Sequence, residues 1–331
     1  MTINFNSRAR ARKLGLAFTG VALAASGVVG SMTASAASTA TVANDTLVVD
    51  AGSGNDRVAL RLAAGAPGTL EVDLDDDGSA EDSFDRATFN RIEVSLGSGN
   101  DEFRVDQVNG AFADEALVVN GDSGNDVMNG GDNVELFVGG SGNDFADGNR
   151  GNDKGVLGSG NDSFRWDPGD GSDAVEGDSG NDTLDFNGAG ANEVMSLSPN
   201  GGRSLFLREP AAIRMDMDNV ERLDLTALGG VDTMRFDDMS GTDFRQSDVD
   251  LSGPAGGPDG QADVVTVNGT DGTDRIDVSA NGGKVAVDGL QSSIDLAGSE
   301  LADQLQINTL GGNDTVDVAD DVEALISVAV S

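Results

Sequence analysis

Cysteine, histidine and tyrosine are absent from this chain of 331 residues, which also has a single Trp and only 6 Pro. Without Cys or His there is no disulfide framework, no zinc finger, no thiol nucleophile and no Ser-His-Asp relay; the usual imidazole base is missing as well. Positive charge is scarce too: 20 basic residues face 58 acidic ones, a formal net charge of -38. Such a surface repels phosphate backbones and anionic bilayers, so nucleic acid and membranes are poor partners. What is plentiful is carboxylate and glycine, with 47 Gly in all.

The basic residues are unevenly spread. Arg8, Arg10, Arg12 and Lys13 precede an apolar stretch from Leu14 to Val29, and the small-residue sequence Ala34-Ser35-Ala36 follows. This is the layout of a secretory signal peptide, residues 1-36, cut after Ala36. Gly, Ser and Thr interrupt the apolar stretch, which makes it a poor membrane anchor. Its removal takes four positive and no negative charges, leaving a net charge of -42 and only Lys154 and Lys284 as lysines. The expected location is secreted and extracellular, with no membrane insertion.

Internal repetition is the strongest signal in what remains. Cut into nines, the middle of the chain reads GDSGNDVMN (121-129), GGDNVELFV (130-138), GGSGNDFAD (139-147), GNRGNDKGV (148-156) and LGSGNDSFR (157-165). WDPGDGSDAVE (166-176) is two residues longer, and GDSGNDTLD (177-185) restores the nine. The pattern is G-G-x-G-x-D-x-U-x, with U a large apolar residue: Met128, Phe137, Ala146, Phe164, Val175 and Leu184, while Gly155 interrupts it.

This block resembles the glycine- and aspartate-rich nonapeptide repeats of the RTX, or hemolysin-type, calcium-binding family. The stretch FRWDPGDGSDAVEGDSGNDTLDFNG is similar to exported actinobacterial-type calcium-binding proteins of unassigned role. The resemblance implies a turn from the first six residues and a short strand from the last three, with two nonapeptides completing one coil of a parallel β-roll. It also implies calcium as the ligand of the turns. The chemistry is consistent: Gly permits close backbone approach, U fills the interior, and Asp offers a hard oxygen. One turn cannot supply the six to eight oxygens calcium takes, so stacked turns must share each ion.

Turns on one edge should then recur every two repeats. One edge is expected to carry Asp126, Asp144, Asp162 and Asp182, and the other Glu135, Asp153 and Asp173; the single 11-residue slice lengthens one interval on each edge. Glu135, with Asn133 where Gly belongs, puts calcium at its own turn in doubt. The expected metal-binding residues are Asp126, Asp144, Asp153, Asp162, Asp173 and Asp182, completed by the turn glycines Gly121, Gly124, Gly139, Gly140, Gly142, Gly151, Gly160, Gly171 and Gly180. Asp56 and Asp101 join them from the N-terminal part. A metal-free solenoid in which Gly-Asn-Asp only makes tight turns is the plainer alternative.

Outside the block the motif recurs singly, ending at Asp56, Asp101, Asp232, Asp274 and Asp314, each flanked by alternating strands such as Ile92-Glu93-Val94-Ser95-Leu96. These turns lack an obvious stacked neighbour in the sequence. Their wide spacing suggests larger coils of three or more strands. The expected fold is all-β, a right-handed parallel β-roll or β-helix solenoid, with strands over 37-120, an RTX-like roll over 121-188 and further strands over 189-331. Asp73-Leu74-Asp75-Asp76-Asp77-Gly78 matches the first half of an EF-hand loop, but Phe84 stands where the bidentate Glu is required. It reads better as a solvated acidic turn between strands at Leu70 to Leu74 and Phe84 to Phe89. No glycine loop carries the Lys of a phosphate cradle. Trp166, Phe145 and Phe164 read as packing groups rather than a sugar-stacking platform.

Two functional classes fit. One is a secreted calcium-binding repeat protein of structural or interaction role, whose partner at a cell surface, in a matrix or on a polysaccharide is unidentified. In that reading the ion drives folding after export, and the chain is not an enzyme. The other is a calcium-dependent polysaccharide lyase, epimerase or glycosidase on a β-helix. The near absence of Lys and the acidic field weigh against it, and carboxylate pairs are its only candidate catalysts.

Overall fold

The computed structural model describes residues 38-331; the expected export signal and its cleavage point lie outside the described residues. The described chain is all-β, with two short 3-10 turns, Arg86–Thr88 and Val322–Ala324. Its strands form two sheets of fourteen, paired in parallel along most of their length, which is the β-roll or β-helix class. The chain climbs by alternating between them. Strand Ala116–Asn120 of the first sheet leads through a turn to Val127–Asn129 of the second, and the next turn returns to Glu135–Ser141 of the first.

Alternation of burial explains the shape. In Thr183–Asn187 and Arg222–Thr226 every second side chain is buried, so each sheet turns one apolar face inward. All six U positions are fully buried, and Phe164, Trp166, Phe186 and Phe206 are among the largest fully enclosed side chains. Trp166 stacks on Phe186 with ring centroids 4.2 Å apart, and Phe206 meets Phe186 edge-on at 4.6 Å. Gly155, the break in the U series, has a packing reason: a Cβ there would lie 2.9 Å from the Phe164 ring.

The coil outside the central block is not of the expected kind. The wide spacings from Asp56 to Asp101, from Asp182 to Asp232 and from Asp274 to Asp314 contain antiparallel meanders inserted within one sheet, while the chain keeps two walls throughout. Arg57–Ala63, Ala66–Asp73 and Asp82–Asp85 form one meander in the second sheet, and Arg275–Asn281, Lys284–Asp288 and Ser293–Ala297 form another there. Val194–Asn200, Arg203–Glu209 and Ile213–Asp218 form a third, in the first sheet. Alternating apolar residues look the same in a parallel coil and in a hairpin, so periodicity alone does not separate the two. The strand expected over Phe84 to Phe89 ends at Asp85, where the Asp85 carboxylate accepts from the Ala87 amide and opens the 3-10 turn. No helix among the described residues is long and apolar enough to cross a membrane, which leaves open what strands do.

Candidate metal centre

The turns form two edges, and on both of them the carboxylates are linked rung to rung. On the first edge the Asp126 amide donates to Asp144 Oδ1 at 2.9 Å, Asp144 to Asp162 at 2.7 Å and Asp162 to Asp182 at 2.9 Å. On the second, Glu135 donates to Asp153 and Asp153 to Asp173, both at 2.8 Å. The separations are 18 residues within the regular repeats and 20 across the long one, as the two-repeat coil requires. An opposed ladder runs beside the first: the Asn143 amide donates to Asn125 Oδ1 and the Asn161 amide to Asn143 Oδ1. The middle Asn of Gly-Asn-Asp therefore has a structural task that its turn propensity alone does not reveal.

Each ladder aspartate spends one oxygen on this bond. The other oxygen is buried with no hydrogen-bond partner at Asp56, Asp101, Asp126, Asp144, Asp153, Asp162, Asp182 and Asp232, and so is Glu135 Oε2. A buried polar atom without a partner is rare and costly, and here it recurs at nine turns. The glycines make the space around these oxygens. A Cβ on Gly121 or Gly139 would meet the Oδ2 of its own turn's Asp at 2.5 Å. At Gly124, Gly142, Gly160 and Gly180 on one edge, and at Gly151 and Gly171 on the other, it would come within 1.2-1.8 Å of a carbonyl oxygen of the preceding turn. Gly142 has a φ of +128 and a carbonyl pressed against it, so no other residue fits. A Cβ on Gly140 would likewise come within 2.2 Å of the Asp122 carbonyl oxygen.

Bare carboxylate oxygens and stacked carbonyls, all hard donors in a buried and negative setting, fit a calcium ion. The residues that would hold it are the ladder aspartates and the carbonyls of their neighbouring turns. In the metal-free chain, burial raises the proton affinity of these acids: Asp126 and Asp173 to about 6, Asp144, Asp182 and Asp232 to about 7. Asp162, Asp101 and Asp56 are raised by the same cause, and burial also raises the adjoining Glu135 and Asp153. Near neutral pH these sites are therefore short of positive charge.

The isolated turns are not isolated in space. The Asp56 amide donates to Asp101 Oδ1 at 2.7 Å and the Asp101 amide to Asp126 at 2.9 Å, across 45 and 25 residues, so the first edge extends continuously from Asp56 to Asp182. Glu135, doubted because of Asn133, is buried in the ladder and keeps a bare oxygen like its neighbours. A further run on the second edge joins the motif residue Asp232 to three that the sequence does not single out: Glu193 donates to Asp232, Asp232 to Asp263 and Asp263 to Asp303. Asp274 is joined to Asp314 in the same way. The signal for Asp263 and Asp303 is faint, since neither follows a Gly-rich turn of the motif.

The acidic turn at 73-81 is not simply solvated. Asp73 is fully buried and bonded to Arg61 at 2.8 Å, and Asp76 pairs with Arg104 at 2.6 Å. Oxygens of Asp73, Asp75, Asp77 and Glu81 lie within 4.8 Å of one another, a group that could hold a metal ion. Glu81 stands at the ninth position of the EF-hand pattern, so the match goes further than the first six residues indicate. Phe145 is half-buried beneath Arg165, whereas Phe164 and Trp166 belong to the core.

No family model matches the chain, and no curated protein matches it. Among solved structures it is similar to the extracellular lipase LipA from Serratia marcescens, at 12% identity and a TM-score of 0.21, over 66% of this chain and 44% of that one.

Proposed function

We propose that the chain is a secreted calcium-binding repeat protein of the RTX type, in which ions held between stacked turns complete the fold, and that it acts outside the cell as a structural or interaction protein without catalysis of its own. The observation that supports this best is the recurring bare carboxylate oxygen, buried at nine turns, with glycines that clear space for it. A chain of net charge -42 resists compaction until cations neutralise its ladders, so low calcium inside a cell keeps it extended and higher calcium outside lets it fold. Titration of metal-free chain with calcium, followed by circular dichroism and calorimetry, tests the reading. β signal is expected to grow with calcium and poorly with magnesium, which demands a tight octahedron and keeps its waters. A spectrum unchanged between chelator and millimolar calcium, with no heat of binding, would refute it.

One observation favours the enzyme alternative. A polar cleft of about 530 Å³ opens beside the second edge, lined among others by Asp132, Arg150, Asp167 and Asp170, and burial raises Asp170 to about 7. A pair of acids at a groove is what glycoside hydrolysis by two carboxylates would require. Incubation of calcium-loaded protein with pectate, alginate and neutral glycans, scored for new reducing ends and unsaturated products, separates the two readings. Turnover lost in Asp170→Asn would promote the enzyme.

A further inference from the structure

At one place on the second edge the ladder meets a cation that belongs to the chain itself. Glu193 holds the ladder position of its turn: its amide donates to Asp232 Oδ1 at 2.8 Å, and a Cβ on Gly188 would meet its Oε2 at 2.5 Å. The same relation, at the same 2.5 Å, places Asp144 Oδ2 beneath Gly139. Yet Glu193 leaves no oxygen bare. Oε2 accepts from the Ala189 amide at 2.9 Å, and Oε1 is bonded by the guanidinium of Arg208. Both side chains are buried, with 7% of Arg208 and none of Glu193 exposed.

Arg208 arrives there through the meander. In the first sheet, strands Ile213–Asp218, Arg203–Glu209 and Val194–Asn200 are inserted between Ala174–Gly180 and Thr233–Phe236. The first two of these part Asp173 from Glu193, which opens the third, and Arg208 stands on the middle inserted strand, paired in register with Met195 and Ile213. Its guanidinium lies 5.1 Å from the Trp166 ring centre and also donates to the Pro210 carbonyl at 3.1 Å. An unpaired buried carboxylate is costly, and a buried guanidinium needs an acid in turn. The two satisfy each other where the coil repeat is broken.

We propose that the Arg208 guanidinium is the resident cation of a ladder seat at Glu193, which is therefore a latent calcium site that opens when Arg208 is removed. This rests on the calcium reading of the other turns. The meander then joins the calcium-dependent part of the solenoid to the part beyond it through a rung that needs no metal. Arg86, which pairs with buried Glu115 at 2.7 Å after the first meander, shows the same device of an inserted segment bringing Arg to a buried Glu on this edge.

Calorimetric calcium titration of full chain, wild type and Arg208→Gln, gives the test, with thermal midpoints in chelator and in calcium alongside. Arg208→Gln is expected to bind one calcium more than wild type and to lose more of its midpoint in chelator than in calcium. The single Trp lies beneath Arg208, so its emission should shift in the metal-free variant and return with calcium. Arg208→Lys, which keeps a cation, should bind the wild-type number, and so should Arg208→Gln combined with Glu193→Gln. Unchanged stoichiometry in Arg208→Gln, with equal midpoint loss in both conditions, would overturn the proposal while leaving the calcium reading intact. Wild type that binds no calcium would overturn both.

Discussion

The central block and the C-terminal half use one ladder bond but treat the second carboxylate oxygen differently. From Asp126 to Asp182 that oxygen is buried and bare at every turn of the first edge. Beyond Asp182, protein groups take over three of these places. Asp274 accepts from the Thr270 amide and hydroxyl, Asp303 from the Glu300 amide, and Glu193 from Arg208. Asp232 keeps an oxygen that is both buried and bare. The contrast teaches that a stacked carboxylate is not in itself a cation site. What decides is whether the fold supplies a donor to its second oxygen, because a satisfied carboxylate gains little from metal and a bare buried one gains much.

The largest expected effect is regional. Stripping metal should lower hydrogen-exchange protection far more over 50-190 than over 195-330, with exchange measured by mass spectrometry in chelator and in calcium. Equal loss along the whole chain would break the comparison.

Single substitutions sharpen it. Asp144→Asn is expected to lower calcium affinity at the sites shared with Asp126 and Asp162 at least on the order of 10-100-fold, the range seen when only an outer partner of a metal is lost. Asp153→Asn lies on the other edge and should affect those sites less; equal coupling in calorimetry would mean that the edges are assigned wrongly. Asp303→Asn, by contrast, should cost about 1 kcal/mol in denaturant melts, alike with and without calcium.

Acidity probes the same oxygens. Asp144 and Asp182 titrate at about 7 in the metal-free fold against an ordinary value of 3.8, so that fold binds more protons than the unfolded chain between these limits. The stability this contributes is fully present below about 3.8 and is lost as pH rises through 7. Metal-free protein should therefore melt at lower temperature at pH 7.5 than at pH 5.5. In saturating calcium the slope should flatten or reverse, since protons then compete with the ion. A metal-free midpoint that rises with pH over this window would contradict the burial of these carboxylates.

A further effect concerns packing alone. Gly155→Ala should cost roughly 1-3 kcal/mol through its clash with Phe164, leaving calcium stoichiometry unchanged.

Much of this was legible in the chain. The nonapeptide register gave the buried U positions, the two edges and their spacing, because each repeat is local and the period of stacking equals two of them. Gly-Asn-Asp turns outside the block were visible, but their partners were not. Asp56 finds Asp101 across 45 residues only because an antiparallel meander occupies the interval within one sheet. Glu81 was overlooked because the EF-hand match was judged by its twelfth position, while the fold brings the ninth to the three aspartates.

By itself, then, the sequence determined the all-β repeat, the order of carboxylates along each edge of the central block and the demand for positive charge, since these follow from composition and short-range periodicity. Only the tertiary structure decided which carboxylates keep a bare buried oxygen and which meet a protein donor. Arg208 and Glu193 are fifteen residues apart with no motif to join them, and their pairing arises from the insertion of two strands between two rungs. Whether a buried oxygen is bare depends on every group packed around it, and those groups come from distant parts of the chain.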